Sequence, residues 1–158
     1  MCAKTDLAHK GLSEQLEVHS MTRRYVGVTY FGFNEDEGTI DAPIGRDKNN
    51  RLRMAIVSDG RRAVTHYKVL ERYNGFTLIE AKLETGRTHQ IRVHMASKNR
   101  PLLGDIIYGP SKQPFGLTGQ MLHAKTLGFI HPRTGEYLEF SVDAPKEFND
   151  IVEKLRKL

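Results

Sequence analysis

The stretch from Leu83 to His94, LETGRTHQIRVH, changes character in its middle. It ends FTLIEAKLE (76–84), whose aromatic and β-branched residues read as a strand. Thr85-Gly86 then turn the chain, and from Thr88 the spacing of Ile91 and Met95 predicts a helix over 88–97, stopped by Asn99 and Pro101. A strand that passes into a helix through so short a turn belongs to a mixed fold. The same stretch carries an electrostatic oddity. Arg87 falls at the predicted helix N-terminus, where the macrodipole already disfavours a cation. Such an arginine either reaches into solvent or faces an anion, a phosphate or a carboxylate.

Working outward, residues 22–31 (TRRYVGVTYF) read as a strand, with a shorter one over 38–42 closed by Pro43. Residues 44–50 (IGRDKNN) have the composition of a loop. Strand-like segments follow at 52–57 and 63–72, and Asn74-Gly75 before FTLIEAKLE is a strong hairpin signal. Residues 110–120 read as a loop, with further strands near 121–130 and 136–142. Helices are expected over 6–20, with Asp6 as N-cap, and over 146–157, after Pro145. Strands joined mostly by short turns imply antiparallel pairing. The expectation is an α+β domain, a mixed and mostly antiparallel sheet with helices packed on one face.

The 158 residues are enough for one domain with its own core, and the 39% hydrophobic and 27% charged content is that of a globular protein. Cys2 has no partner for an intramolecular disulfide. The first twenty residues lack the apolar stretch of a signal peptide, and no run approaches the ~20 apolar residues of a membrane span. The expected location is cytoplasmic, away from membranes. The net charge of +5 is unevenly spread: residues 46–62 hold Arg46, Lys48, Arg51, Arg53, Arg61 and Arg62 against Asp47 and Asp59. That concentration suits a surface tracking phosphates, although charge alone leaves a solvated basic loop equally open. Arg23 and Arg24 beside Tyr25 could hold phosphate and stack a base, and Tyr25 is equally at home as a core strand residue. Arg92 points to another side of its helix than Arg87 and could hold phosphate or brace the fold. His89 and His94 do not share a helix face, so they read as hydrogen-bonding or core residues and not as metal ligands. The phosphate-cradling glycine loops of nucleotide-cofactor enzymes are absent.

Several segments in order form a specific set: CAKT (2–5), RRYVGVTYFG (23–32), APIGR (42–46), AVTHYKVL (63–70), LETGRTHQIRVHMA (83–96), PLLGDIIYG (101–109) and LHAKTLGFIHP (122–132). This set resembles the RluA/RluD-type pseudouridine synthases across essentially the whole chain. The resemblance implies a pseudouridine synthase catalytic-domain fold and RNA, chiefly large-subunit ribosomal RNA with transfer RNA as another option, as substrate. It implies an isomerisation needing no metal or cofactor, in which the C1′–N1 bond of uridine breaks, the uracil rotates and C5 bonds to C1′. It places Tyr25 against the uracil and Arg87 as the arginine that pairs with a catalytic aspartate. That aspartate belongs to an H-R-L-D-x-x-T-S-G motif preceding A-K-T, and no such motif occurs here. Residues 1–158 are therefore expected to be the C-terminal portion of the catalytic domain, inactive alone. Arg23, Arg24, Arg46, Arg51, Arg53, Arg61, Arg62 and Arg92 are the expected RNA-binding residues. A sheet edge left uncovered would favour self-association. A non-catalytic RNA-binding module is the alternative.

Overall fold

The structure is a computed structural model that describes residues 3–17 and 21–158. Helix α1 (Asp6–Glu17) is followed by strands β1 (Thr22–Tyr30), β2 (Glu37–Asp41), β3 (Ile44–Arg46), β4 (Met54–Ile56), β5 (Val64–Arg72) and β6 (Phe76–Leu83). Helix α2 (Gln90–Ser97), strands β7 (Leu122–Ile130) and β8 (Tyr137–Ser141), and helix α3 (Lys146–Arg156) complete the chain. The end of the expected first helix, 18–20, lies outside the described residues, as does Cys2. No helix among the described residues is long and apolar enough to cross a membrane.

Six strands form one antiparallel sheet in the order β2-β5-β6-β1-β7-β8, and β3 pairs with β4 in a separate hairpin. The fold is α+β. The central strands β1 and β6 are apolar on both faces, so both faces need cover. Ile79, Ala81 and Leu83 pack under Ile91 and Met95 of α2. Val28 and Leu78 point the other way and pack under Ile151, Val152 and Leu155 of α3. The helices thus flank the sheet, and the expectation that they share one face is corrected.

The Asn74-Gly75 hairpin joins β5 to β6 as expected. Only Gly75 takes a positive φ, 84°, so the turn is not the type I′ that Asn-Gly usually makes. Helix α2 begins later than its periodicity suggests, because His89 sits in the left-handed region at φ 56°. It ends in a Schellman motif: Asn99, at φ 59°, donates to Ala96 O at 3.0 Å, and Arg100 donates to Met95 O at 2.9 Å. The expected loop 44–50 is corrected at its start, since Ile44, Gly45 and Arg46 pair with Ile56, Ala55 and Met54. Residues 52–53 fall in the turn that joins these two short strands.

Candidate active site

The turn between β6 and α2 is held by one hydrogen-bonded chain of buried groups. The Thr85 hydroxyl accepts from Val64 N at 2.9 Å and donates to Gln90 Oε1 at 2.7 Å. That oxygen also accepts from the backbone N–H of Arg87 at 3.0 Å. Gln90 Nε2 donates to Val64 O at 3.0 Å and to the Thr65 hydroxyl at 2.9 Å. Thr65 is 2.8 Å from His94 Nδ1, and His94 Nε2 is 2.9 Å from Ala42 O. A carbonyl only accepts, so the proton sits on Nε2, and Nδ1 takes the Thr65 hydroxyl proton. Burial lowers the His94 pKa, which keeps this neutral tautomer in place. Every donor and acceptor in the chain is matched, and such networks rigidify what they touch. Here they fix the backbone of Arg87.

Tyr25 and Arg23 alternate on the α2-side face of β1. Tyr25 lies between Ala81 of β6 and Ala124 of β7, with Lys125 as the extra residue of a bulge in β7. It is half-buried and lines a groove with Arg23, Ala124, Thr126 and the exposed Phe140 and Val142 of the sheet edge. Arg23 donates to Glu84 O at 3.3 Å, and its guanidinium lies so close to Gly86 that a Cβ there would collide with it. A side chain at 86 would therefore displace the Arg23 guanidinium from its present position. Arg23 is electrostatically coupled to Tyr25 on its own strand and to Arg87 in the turn. Arg23 and Tyr25 share one face of β1, and the turn that carries Arg87, distant in sequence, comes up beside Arg23.

Arg87 precedes α2 and is half-buried. Its Nε donates to Arg62 O at 2.8 Å. Among the described residues no carboxylate pairs with it; its charged neighbours are Arg61, Arg62 and Arg23. Burial first, and then those three cations, lower its pKa. It stays charged, as arginine does in proteins, in a half-buried place with cations as its nearest charged neighbours.

Arg92 has the opposite environment. Nε and Nη2 donate to Asp105 at 2.9 and 3.0 Å, and the pair is buried. Asp105 Oδ1 also accepts from the backbone N–H groups of Ile107 and Tyr108 at 3.1 and 3.0 Å. Burial acts to raise the Asp105 pKa, but Arg92 and those N–H groups outweigh it and hold the carboxyl below its usual range. Of the two options the sequence left open for Arg92, these contacts favour the brace: its Nε and Nη2 are committed to holding α2 against the loop after Pro101. Arg53 is diverted in part as well: its guanidinium stacks 5.0 Å from the Tyr108 ring centroid. Arg24 shares the α3-side face of β1 with Val26, and its Nε is buried without a partner among the described residues. Arg46, Arg51, Arg61 and Arg62 are exposed, with Arg46 Nη1 donating to Arg51 O at 2.9 Å.

Tyr108 is the residue that sequence reasoning passed over. Its hydroxyl accepts from Met54 N at 2.9 Å and lies 2.8 Å from His89 Nδ1. It ties the β3–β4 hairpin to the Arg87 turn. It stands within PLLGDIIYG, but its partners are distant in the chain, so the motif alone gave it no role.

A model of the RNA pseudouridylate synthase family matches residues 1–97. The chain belongs to the RNA pseudouridylate synthase family. It is 54% identical over 157 residues to an uncharacterized RNA pseudouridine synthase, YlyB, of Bacillus subtilis, covering 99% of this chain and 52% of that one. It is 46% identical over 162 residues to ribosomal large subunit pseudouridine synthase D of Zymomonas mobilis, covering 97% and 51%. A solved structure, human RNA pseudouridylate synthase domain containing 1, superposes with TM-score 0.77 at 25% identity over 99% of this chain and 74% of its own. The chain spans about half the length of the curated pseudouridine synthases it matches.

Proposed function

We propose that this chain carries the RNA-holding surface and two of the reactive residues of a pseudouridine synthase acting on large-subunit ribosomal RNA in the cytoplasm. The observation that carries the reading is the position of Arg23 between Tyr25, on the same strand face, and the turn that holds Arg87, with Arg87 lacking a carboxylate among the described residues. Tyr25 is at the wall of an open groove, where it would meet the uracil of an extruded uridine. Extrusion costs a few kcal/mol, and phosphate contacts from Arg23, Arg46, Arg51, Arg61 and Arg62 would offset it. In the isomerisation the C1′–N1 bond is exchanged for C1′–C5, with a proton lost at C5 and gained at N1. Tyr25 is the group assigned beside C5. Arg87 is assigned to the carboxylate that opens the glycosidic bond, and that carboxylate is not among these 158 residues.

The chain alone is therefore expected to bind RNA without forming pseudouridine. The assay measures pseudouridine in ribosomal RNA after incubation with this chain, beside the full-length Bacillus subtilis relative as a comparison. Conversion by this chain alone would contradict the assignment and make Asp6 the first carboxylate to test. The missing motif also favours a second reading, a module that binds RNA and performs no chemistry. Conversion by the relative, lost when the residues matching Tyr25 and Arg87 are replaced, would count against that reading.

A further inference from the structure

The basic residues do not form one diffuse surface. Arg46, at the end of β3, and Lys48 and Arg51, in the turn between β3 and β4, form one group, where Lys48 pairs with Asp59 at 3.6 Å and the Arg46 guanidinium is bonded to the turn's own backbone. Arg23, Arg61, Arg62 and Arg87 form a separate group gathered about the β6–α2 turn. Two devices hold that group together. The Arg23 guanidinium lies against Gly86, the residue before Arg87, and the Arg87 Nε is bonded to the Arg62 carbonyl at 2.8 Å. Beneath them the Thr85–Gln90–Thr65 chain of hydrogen bonds fixes the turn.

Compensation within the group is poor. Among the described residues the single carboxylate paired with it is Glu84, 3.9 Å from Arg62 and also hydrogen-bonded to His66 at 3.0 Å. Arg23, Arg61 and Arg87 have no ion pair among the described residues, and Arg23 Nε is buried without a hydrogen-bond partner there. A further carboxylate placed on Arg87 would still leave two guanidiniums uncompensated. Like charges held together on a rigid turn cost free energy unless an anion joins them. Guanidinium edges match phosphate oxygens, and the Nη groups of Arg87 remain open to a ligand.

We propose that Arg23, Arg61, Arg62 and Arg87 form one anion site that takes a single phosphodiester of the RNA beside the nucleotide facing Tyr25. This rests on the RNA reading above and adds a position to it: one phosphate is held by this group, while the others are tracked weakly along the β3–β4 turn. Arg61 and Arg62 are exposed, so replacing their side chains leaves the core untouched.

The test uses this chain and a short uridine-containing RNA, prepared as a set in which one phosphate at a time is a neutral methylphosphonate. Binding is read by fluorescence anisotropy at low salt. For the wild-type chain, neutralising one particular phosphate weakens binding about tenfold, and any other changes it less than about twofold. Arg61→Gln and Arg62→Gln each lose that discrimination, as a double-mutant cycle requires of partners in contact, while Lys157→Gln on α3's far end keeps it. Equal small losses at every phosphate, or discrimination that survives in the Arg61→Gln and Arg62→Gln double variant, would overturn the site and leave the RNA reading standing. No binding of any member of the set by the wild-type chain would overturn both.

Discussion

Arg87 and Arg92 stand five residues apart in one motif and have contrasting roles in the fold. Arg92 is buried and answered in full: a carboxylate at hydrogen-bonding distance through two nitrogens, backbone N–H groups behind that carboxylate, and the Tyr108 ring 4.9 Å from its guanidinium carbon. Arg87 is half-buried and answered by other arginines. The first pair is closed and serves the fold. Arg87 is open on its charged side, although its backbone N–H is held by Gln90 Oε1 at 3.0 Å. A buried network that fixes an uncompensated cation is what the proposed anion site requires.

The contrast can be broken most directly at Asp105. Asp105→Ala leaves Arg92 buried and unpaired, and unfolding in urea should show a loss of about 3–5 kcal/mol. A loss below about 1 kcal/mol would mean that Arg92 finds water and that the pair is not a brace. Gln90→Leu comes next. It strips partners from Thr85, Val64, Thr65 and the Arg87 amide together, and should cost about 2–3 kcal/mol while raising hydrogen exchange at Arg87 N–H. An unchanged exchange rate would detach the network from Arg87.

Acidification has a smaller effect of definite sign. Burial lowers the pKa values of both His94 and His89. Below the ordinary histidine pKa of about 6.5 the unfolded chain binds protons that the folded chain resists, so stability must fall as pH drops from there. Urea midpoints at successive pH values check this, and His94→Gln should flatten part of the slope; stability rising on acidification would contradict the neutral tautomer. Arg87→Gln should have the smallest effect on stability, within about 1 kcal/mol in either direction, because no ion pair is lost and the loss of the bond to Arg62 O is offset by relief of repulsion from Arg61, Arg62 and Arg23. A large loss there would mean that Arg87 is a brace like Arg92.

Much of the fold could be read along the chain because its signals are local. The strand–turn–helix change at 83–97, the Asn74-Gly75 hairpin and the Pro145 start of α3 each depend on neighbours in sequence. What escaped depends on partners far away. The three residues of β3 are strand only because Met54–Ile56 lie beside them, and IGR by itself looks like loop. The start of α2 is later than expected because His89 adopts a left-handed conformation, with its ring 2.8 Å from the Tyr108 hydroxyl. For the site, Arg87 stood out by its odd position before a helix, whereas Arg92 could not be told from a phosphate ligand until Asp105, thirteen residues on, closed against it. The approach of Arg23 to Gly86 crosses about sixty residues of chain and has no local sign.

The measurement that bears most directly on the contrast is nuclear magnetic resonance of the arginine Nε–Hε groups while a short uridine-containing RNA is titrated in. The account predicts that Arg87 and Arg23 shift with the RNA and that Arg92 keeps its position and its slow exchange throughout. Shifts at Arg92 equal to those at Arg87, or none at Arg87 while the RNA binds, would contradict it.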